Sequence, residues 1–320
     1  MTKYNLSIII TMYNSEDTIR RCLDSIIYAD AVNNFKFEVI IVDDCSTDSS
    51  RVVVQEYVQK YENIKLITNK ENSGISATRN KGLAYSTGEY FTYVDSDDSI
   101  DKLYFKSLCK VIESNKYDLI EFGYKKINEN GVEAEEVING CFQFELSNML
   151  SAYFDTEKRD SIGSYTWNKL FKKSLCVNNK ITFDENHIYE DVDFVIEYFT
   201  YVQNVFYVGK SLYNYFQRGN STVNTVNKKL VMDRIWSLEQ VKKHGKDLDI
   251  VGIDFMIDKY CANTLFYLYK LVVNSNLNNL RIEKLIREKI LETVNFKVLS
   301  LKQKVKLVFL RMHLLKLFLK

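Results

Sequence analysis

The sequence predicts an α/β fold in which a mixed sheet is flanked by helices and followed by a mainly helical carboxyl-terminal region. Three observations lead there. Short apolar runs alternate with amphipathic stretches of helical spacing through the first hundred residues, the pattern of a sheet wound with helices. Each polar cluster of ligand-type residues in that half directly follows an apolar run or opens the next helical stretch, where α/β folds place their binding loops. From residue 226 onward nearly every segment has helical composition.

Strands are expected at residues 6–10, 37–42, 64–67 and 90–94, runs dominated by apolar residues. Between them, residues 16–27, 49–61 and 76–85 repeat apolar positions at helical spacing, with Ser15 and Asp48 as caps of the first two. Such crossovers are right-handed and leave their loops at the strand carboxyl ends. Residues 103–114 read as a helix and 118–126 as a strand, with Asn128-Glu129-Asn130-Gly131 as a hairpin turn. The strand order is expected to become mixed here. Helices follow at 146–154, after 165–168, and at 190–202, residues 206–215 look extended, and a boundary falls near residue 222.

With 320 residues, 46% of them apolar, the chain can bury a large core. Lysine plus arginine (43) balances aspartate plus glutamate (42), so overall charge does not ask for nucleic acid. The cysteines contain no CxxC pair, which fits free thiols in a reducing compartment better than a disulfide frame or a zinc site. Residues 6–10 are too short for a signal peptide or a membrane span, and the expected location is cytoplasmic.

The loop after the first strand, Thr11-Met12-Tyr13-Asn14-Ser15-Glu16, has no glycine, so the GxGxxG dinucleotide fingerprint is absent there. After the second strand, Asp43-Asp44-Cys45-Ser46-Thr47-Asp48 could bind a base or ribose, or simply cap the next helix. After the third, Asn72-Ser73-Gly74 leads into a helix carrying Arg79 and Asn80, a setting for an anionic ligand or an ordinary surface arginine. After the fourth comes Asp95-Ser96-Asp97-Asp98. Crowded carboxylates repel one another, and a divalent cation is one way to keep them ionised; a plain turn is the other reading. A second acidic cluster, Tyr189-Glu190-Asp191-Val192-Asp193-Phe194, could supply a general base or merely complement a helix dipole.

In order and spacing, Ser7-Ile8-Ile9-Ile10-Thr11-Met12-Tyr13-Asn14, Ile40-Ile41-Val42-Asp43-Asp44-Cys45-Ser46-Thr47-Asp48, Asn72-Ser73-Gly74-Ile75-Ser76-Ala77-Thr78-Arg79-Asn80 and Asp95-Ser96-Asp97-Asp98 resemble the amino-terminal half of family 2 glycosyltransferases. These enzymes have the GT-A fold, a Rossmann-like mixed sheet. Two departures are Thr11, where the family commonly has proline, and Cys45, where it commonly has glycine; cysteine resists the positive φ that glycine tolerates.

The resemblance spans roughly residues 5–222 and implies a catalytic domain at 1–222, with a nucleotide-binding half at 1–100 and an acceptor-binding half at 101–222, ahead of a helical region at 223–320. It implies that Thr11, Tyr13, Glu16, Asp43, Arg79, Asp95, Ser96 and Arg218 contact the nucleotide, with Tyr13 and Asp43 along its base and ribose. Asp95 and Asp97 would form the DxD site for Mn²⁺ or Mg²⁺. Asp191 of the "ED" motif would be the base, with Glu190 beside it toward the acceptor and Asp193 in reserve. Trp167 would be an acceptor platform or a core residue, and Tyr215, Arg218 and Ser221 would belong to a loop closing over the donor diphosphate.

The implied activity is metal-dependent, inverting transfer of a hexose from a nucleotide sugar, a uridine diphosphate sugar first, to a hydroxyl of a saccharide acceptor, lipid-linked or protein-linked. Bacterial capsule, exopolysaccharide or glycan synthesis is the family's common setting. A departing diphosphate needs its growing charge met by an ion held on one or two carboxylates. A glycosidase needs no strand-end metal cluster. A nucleotidyltransferase would want a glycine-rich, basic phosphate loop, which is missing. A scaffold subunit that kept the fold without turnover is the non-enzymatic alternative.

Residues 297–320 carry no acid and intersperse Lys302, Lys304, Lys306, Arg311, Lys316 and Lys320 with apolar residues. Leu301, Val305, Val308, Met312, Leu315 and Leu319 share one helical face, and Leu310, Leu314 and Leu317 the opposite one. This fits peripheral contact with the inner face of the cell membrane, or packing on the chain's own domain or a partner subunit.

Overall fold

A computed structural model of the protein describes residues 4–29, 35–128, 131–154, 163–217, 227–275 and 280–312. The amino-terminal alternation becomes β1 (Tyr4–Met12), α1 (Ile19–Ile27), β2 (Phe37–Asp43), α2 (Ser50–Lys60), β3 (Ile64–Thr68), α3 (Gly74–Tyr85) and β4 (Gly88–Asp95). These strands pair in parallel in the order β3-β2-β1-β4. Central β1 is almost continuously apolar because both its faces are covered. The chain winds outward from β1 to β3, then returns to β4 on the other side, so the crevice between β1 and β4 is a topological switch point. Register sets Met12 beside Asp43 and Thr11 beside Asp95, which gathers the polar loops on one edge.

The middle of the chain forms β5 (Ser99–Ile100), α4 (Tyr104–Glu113), β6 (Leu119–Asn128), β7 (Gly131–Glu136), β8 (Phe142–Phe144), α5 (Leu146–Phe154), β9 (Lys169–Lys172), α6 (Lys173–Asn179), α7 (Glu190–Phe199) and β10 (Val205–Phe216). Antiparallel β9 slots between β4 and β6, and β10 runs parallel to β6, so the sheet is mixed. The short β9 precedes the helix expected after residue 168, because Leu170 and Phe171 are buried on opposite faces of the sheet and only an extended chain presents them so. β6 and β7 make the expected hairpin, with Asn128 opposite Gly131; residues 129–130 lie outside the described ones.

Among the described residues, four α-helices follow: α8 (Lys228–Gly245), α9 (Ile253–Asn274), α10 (Leu280–Thr293) and α11 (Leu301–Arg311). They share one apolar cluster with the sheet. Ile235, Leu238 and Leu265 belong with Phe91, Phe171 and Phe194, while Tyr90 and Val94, one residue out of phase, face the opposite cluster with Leu23, Val54 and Leu108. The composition change near residue 222 is therefore not a break in the core. No described helix is long and apolar enough to cross a membrane.

Candidate active site

The first two loops are stapled together by side chains. Asn14 donates its N–H to Ser46 Oγ (3.0 Å) and accepts at Oδ1 from the N–H of Thr47 (2.8 Å), and the Ser15 N–H donates to Ser50 Oγ (2.7 Å). Glu16 accepts the Ser49 N–H at 2.8 Å, while its own N–H donates to Asp48 Oδ2 at 3.0 Å. Two expectations change here. α1 begins at Ile19 rather than residue 16, and Glu16, grouped with the nucleotide contacts on sequence grounds, has its carboxylate engaged at the start of α2.

Asp43 accepts the Ser46 N–H at 3.1 Å through Oδ1. Its Oδ2 is buried, 3.5 Å from Arg51 Nε, and accepts no hydrogen bond from the described residues. A buried acceptor of this kind at a switch point invites a ligand donor. Asp44 instead accepts the N–H groups of Ser73 and Gly74, both at 2.8 Å, and so anchors the start of α3. Cys45 takes φ +65, a left-handed conformation that glycine would adopt more readily and that this loop holds despite the added side chain. Tyr13 holds its ring 49% exposed one residue past β1, and Ser96 is tied to Ser15 through their hydroxyls at 2.8 Å.

In the acidic run after β4, the members differ. Asp98 is buried, accepting from Tyr213 Oη (2.7 Å) and the Phe216 N–H (2.8 Å). Burial, then the neighbouring Asp95 and Asp97 charges, push its pKa up to about 8. Asp95 is also raised, chiefly by burial, with Arg79 opposing and Asp97 adding to the shift. Among the described residues, no group of three or more Asp, Glu, His or Cys side chains is arranged to hold an ion by itself.

Arg79 is not a surface arginine. Its Nη1 meets Glu190 Oε1 at 2.6 Å and its Nη2 lies 3.8 Å from Asp95 Oδ1, with the guanidinium buried beside Phe183. Asn80 donates from Nδ2 to the Phe183 carbonyl and accepts the Phe183 N–H at Oδ1. The Arg79-Asn80 pair thus ties the segment that carries the second acidic cluster to the amino-terminal half of the sheet.

That cluster opens α7 after Tyr189, which adopts φ +71 and turns the chain sharply into the helix. Glu190 is bound to Arg79, and Asp193 Oδ1 lies 3.3 Å from His244 Nε2. Asp191 lines a cleft of about 940 Å³ together with Glu190, Tyr124, Ser164, Tyr165, Arg234 and Tyr260. Ser164 donates its hydroxyl to Asp191 Oδ2 at 3.3 Å. Burial and then Glu190 raise the Asp191 pKa to about 6, with Arg79 and Arg234 pulling the other way. The loop bearing Ser164 is itself held by a buried ammonium: Lys169 Nζ donates to the carbonyls of Gly163 (2.7 Å) and Tyr165 (3.0 Å) and sits 3.1 Å from Glu121.

Trp167, the candidate platform, is 5% exposed and enclosed by Tyr124, Tyr165, Tyr213 and Tyr215. It is a core residue, and Tyr165 carries the aromatic surface into the cleft. Arg218 and Ser221 lie outside the described residues. Arg234 was missed, although it carries a signal: it falls on the apolar stripe of α8 between Leu230 and Leu238, where a charge is out of place.

The sequence matches the family described as glycosyl transferase family 2 over residues 7–177. The chain belongs to that family. It is 30% identical over 236 residues to cholesterol galactosyltransferase of Borreliella burgdorferi, covering 70% of this chain and 63% of that one. It is 37% identical over 179 residues to poly(ribitol-phosphate) beta-glucosyltransferase of Bacillus spizizenii, covering 56% and 26%. Among solved structures, Staphylococcus aureus TarS 1-349 in complex with UDP-GlcNAc superposes with a TM-score of 0.77 at 21% identity, covering 98% of this chain and 89% of that one, so the likeness in fold takes in the helical region as well as the GT-A sheet. The chain spans between 26% and 64% of the length of such curated relatives. Asp191 lies beyond the family match, and its placement rests on the geometry above.

Proposed function

We propose that this protein transfers a hexose from a uridine diphosphate sugar to a hydroxyl of a saccharide or polyol acceptor, in a single displacement that inverts the anomeric centre. The observation that carries the reading is Asp191, a carboxylate with a pKa raised to about 6, open to a large cleft and linked through Glu190 and Arg79 to Asp95 at the switch point. A base poised near neutrality suits removal of a hydroxyl proton. The acceptor proton passes to Asp191, the acceptor oxygen bonds to the anomeric carbon, and the bond to the diphosphate breaks with its electron pair leaving on UDP. Ser164 holds the carboxylate in orientation, and Arg79 fixes the neighbouring Glu190 through an ion pair at 2.6 Å.

Asp43 Oδ2 would accept from the base, and the exposed Tyr13 ring would stack on it; the UDP-GlcNAc complex of TarS supports a uridine donor. Asp95 and Asp97 fit Mn²⁺ or Mg²⁺: two hard oxygen donors crowded enough to favour a cation, and few enough to leave coordination positions for phosphate oxygens. Such an ion would offset the charge on the departing diphosphate. Arg234 lines the cleft without a carboxylate partner among the described residues, donating to Tyr260 Oη at 3.3 Å and lying 4.6 Å over the Tyr189 ring. It suits an acceptor bearing an anionic group, in line with the poly(ribitol-phosphate) enzyme among the relatives.

Nucleotide release from a panel of sugar nucleotides, with Mn²⁺, Mg²⁺ or chelator, tests the proposal in the wild type, Asp97→Asn and Asp191→Asn. Metal-dependent release from one donor, lost in both variants, is the expected result. Absence of both release and donor binding in the wild type would overturn it in favour of a non-catalytic scaffold.

A further inference from the structure

The basic tail has two apolar faces in sequence, and α11 separates their roles. The helix starts at a capping box formed by Ser300 and Gln303 and packs on its own molecule through buried Leu307 and Leu310. The other stripe points outward: Leu301 is 80% exposed, Val305 and Val308 48%, and Met312 58%, with Phe296 half exposed just before the helix. Single exposed apolar residues are ordinary, but a contiguous set on a helix whose packing face is already satisfied marks a contact surface.

Charge identifies what the contact is with. Lys297, Lys302, Lys304, Lys306 and Arg311 occupy the same segment, which has no acidic residue from 297 to 320. Among the described residues none of the five forms an ion pair with a carboxylate, and Lys306 has Lys302 and Lys270 as charged neighbours, both lowering its pKa after burial. A second copy of this face would bring cation against cation. An anionic bilayer complements both features, because lysine stems lie along apolar surface while their ammonium groups reach the headgroups. At about 1.5 Å per residue the helix is far too short to span the hydrocarbon.

We propose that the outer face of α11, together with Phe296, is a membrane-docking surface that lies flat on an anionic bilayer, with Val305 and Val308 at the acyl boundary and the lysines among the headgroups. The surface is separate from the cleft and stands whether or not the donor reading holds.

Co-sedimentation of the full chain with phosphatidylcholine vesicles, with and without about 30% phosphatidylglycerol, tests this, since each cation near such a surface adds several-fold to binding. Binding should require the anionic lipid, weaken with salt, and fall at least about tenfold in Lys302→Glu/Lys306→Glu and also in Val305→Asp/Val308→Asp. Thermal melting of Val305→Asp/Val308→Asp should match the wild type, because both side chains are exposed and lie off the packing face formed by Leu307 and Leu310. No binding of the wild type to anionic vesicles at low salt would overturn the proposal, as would binding that both variants retain. Self-association abolished by Val305→Asp/Val308→Asp, without vesicle binding, would assign the face to a second copy and overturn it too.

Discussion

The two acidic clusters have the same make-up, three carboxylates within four residues, yet the fold divides their labour differently. At the end of β4, Asp98 is fixed by Tyr213 and Phe216, and the two carboxylates before it bracket the switch point. At the start of α7, Glu190 is paired with Arg79 at the cleft wall and Asp193 Oδ1 stands 3.3 Å from His244, which leaves Asp191 as the cleft-lining member of the cluster without a basic partner in contact among the described residues. A strand end with two acids suits a shared cation, whereas a single raised carboxylate suits a proton. The difference comes from the partners, not from the motifs.

Removing the lone member should have the largest effect. Asp191→Asn should lower transfer about 10²–10⁴-fold while leaving donor affinity unchanged by calorimetry, as expected for loss of a general base. If Asp193→Asn did this instead, the assignment within the second cluster would be reversed. Next in size is the bridge between the clusters. Arg79→Met strands the buried Glu190 carboxylate and should cost about 3–5 kcal/mol in denaturant unfolding, with Glu190→Gln in the same chain restoring part of it; no loss would mean the two halves are not coupled through this pair.

Proton linkage gives a smaller test with a defined sign. Asp191 has a folded pKa raised to about 6, so folding favours its protonated form. That stabilisation is complete below the ordinary carboxylate range and is lost as pH rises through about 6. Asp191→Asn should therefore melt about 2–4 °C above the wild type at pH 7–8, the gap closing toward pH ~4. Wild-type transfer should fall as pH drops below about 6, since the base must be ionised. The smallest effect is expected for Asp193→Asn: transfer within about twofold of wild type, since ordinary substitutions away from the reacting groups change little.

Much of the site was legible because strand periodicity marks where each strand ends, and in a parallel sheet the ends lie on one edge. Asp43, Asp95 and Asp97 were nominated that way, and Asp191 through the resemblance of its acidic helix start to the family's motif. Cys45 adopts the left-handed backbone that its side chain was expected to resist, since its loop is held from both sides by Asp43, Asn14 and Asp44. The loop tie made by Glu16 and the choice of core ring over platform for Trp167 were not legible, because nothing local distinguishes a ligand contact from a loop tie or a core ring. Arg234 was overlooked because a cation in a helical pattern reads as solvated until the packing of α8 is known.

By itself the sequence determined the alternation of strands and helices, the position of each polar loop and the family, since these follow from local periodicity and short motifs. Tertiary structure alone decided what each carboxylate of the two acidic clusters is held against, that Arg79 spans from Asp95 to Glu190, and that α8 lends Arg234 to the cleft. Those outcomes depend on partners far apart along the chain, such as Tyr213 for Asp98 and His244 for Asp193. The energy of a buried charge is set by what surrounds it in space, and no local pattern carries that information.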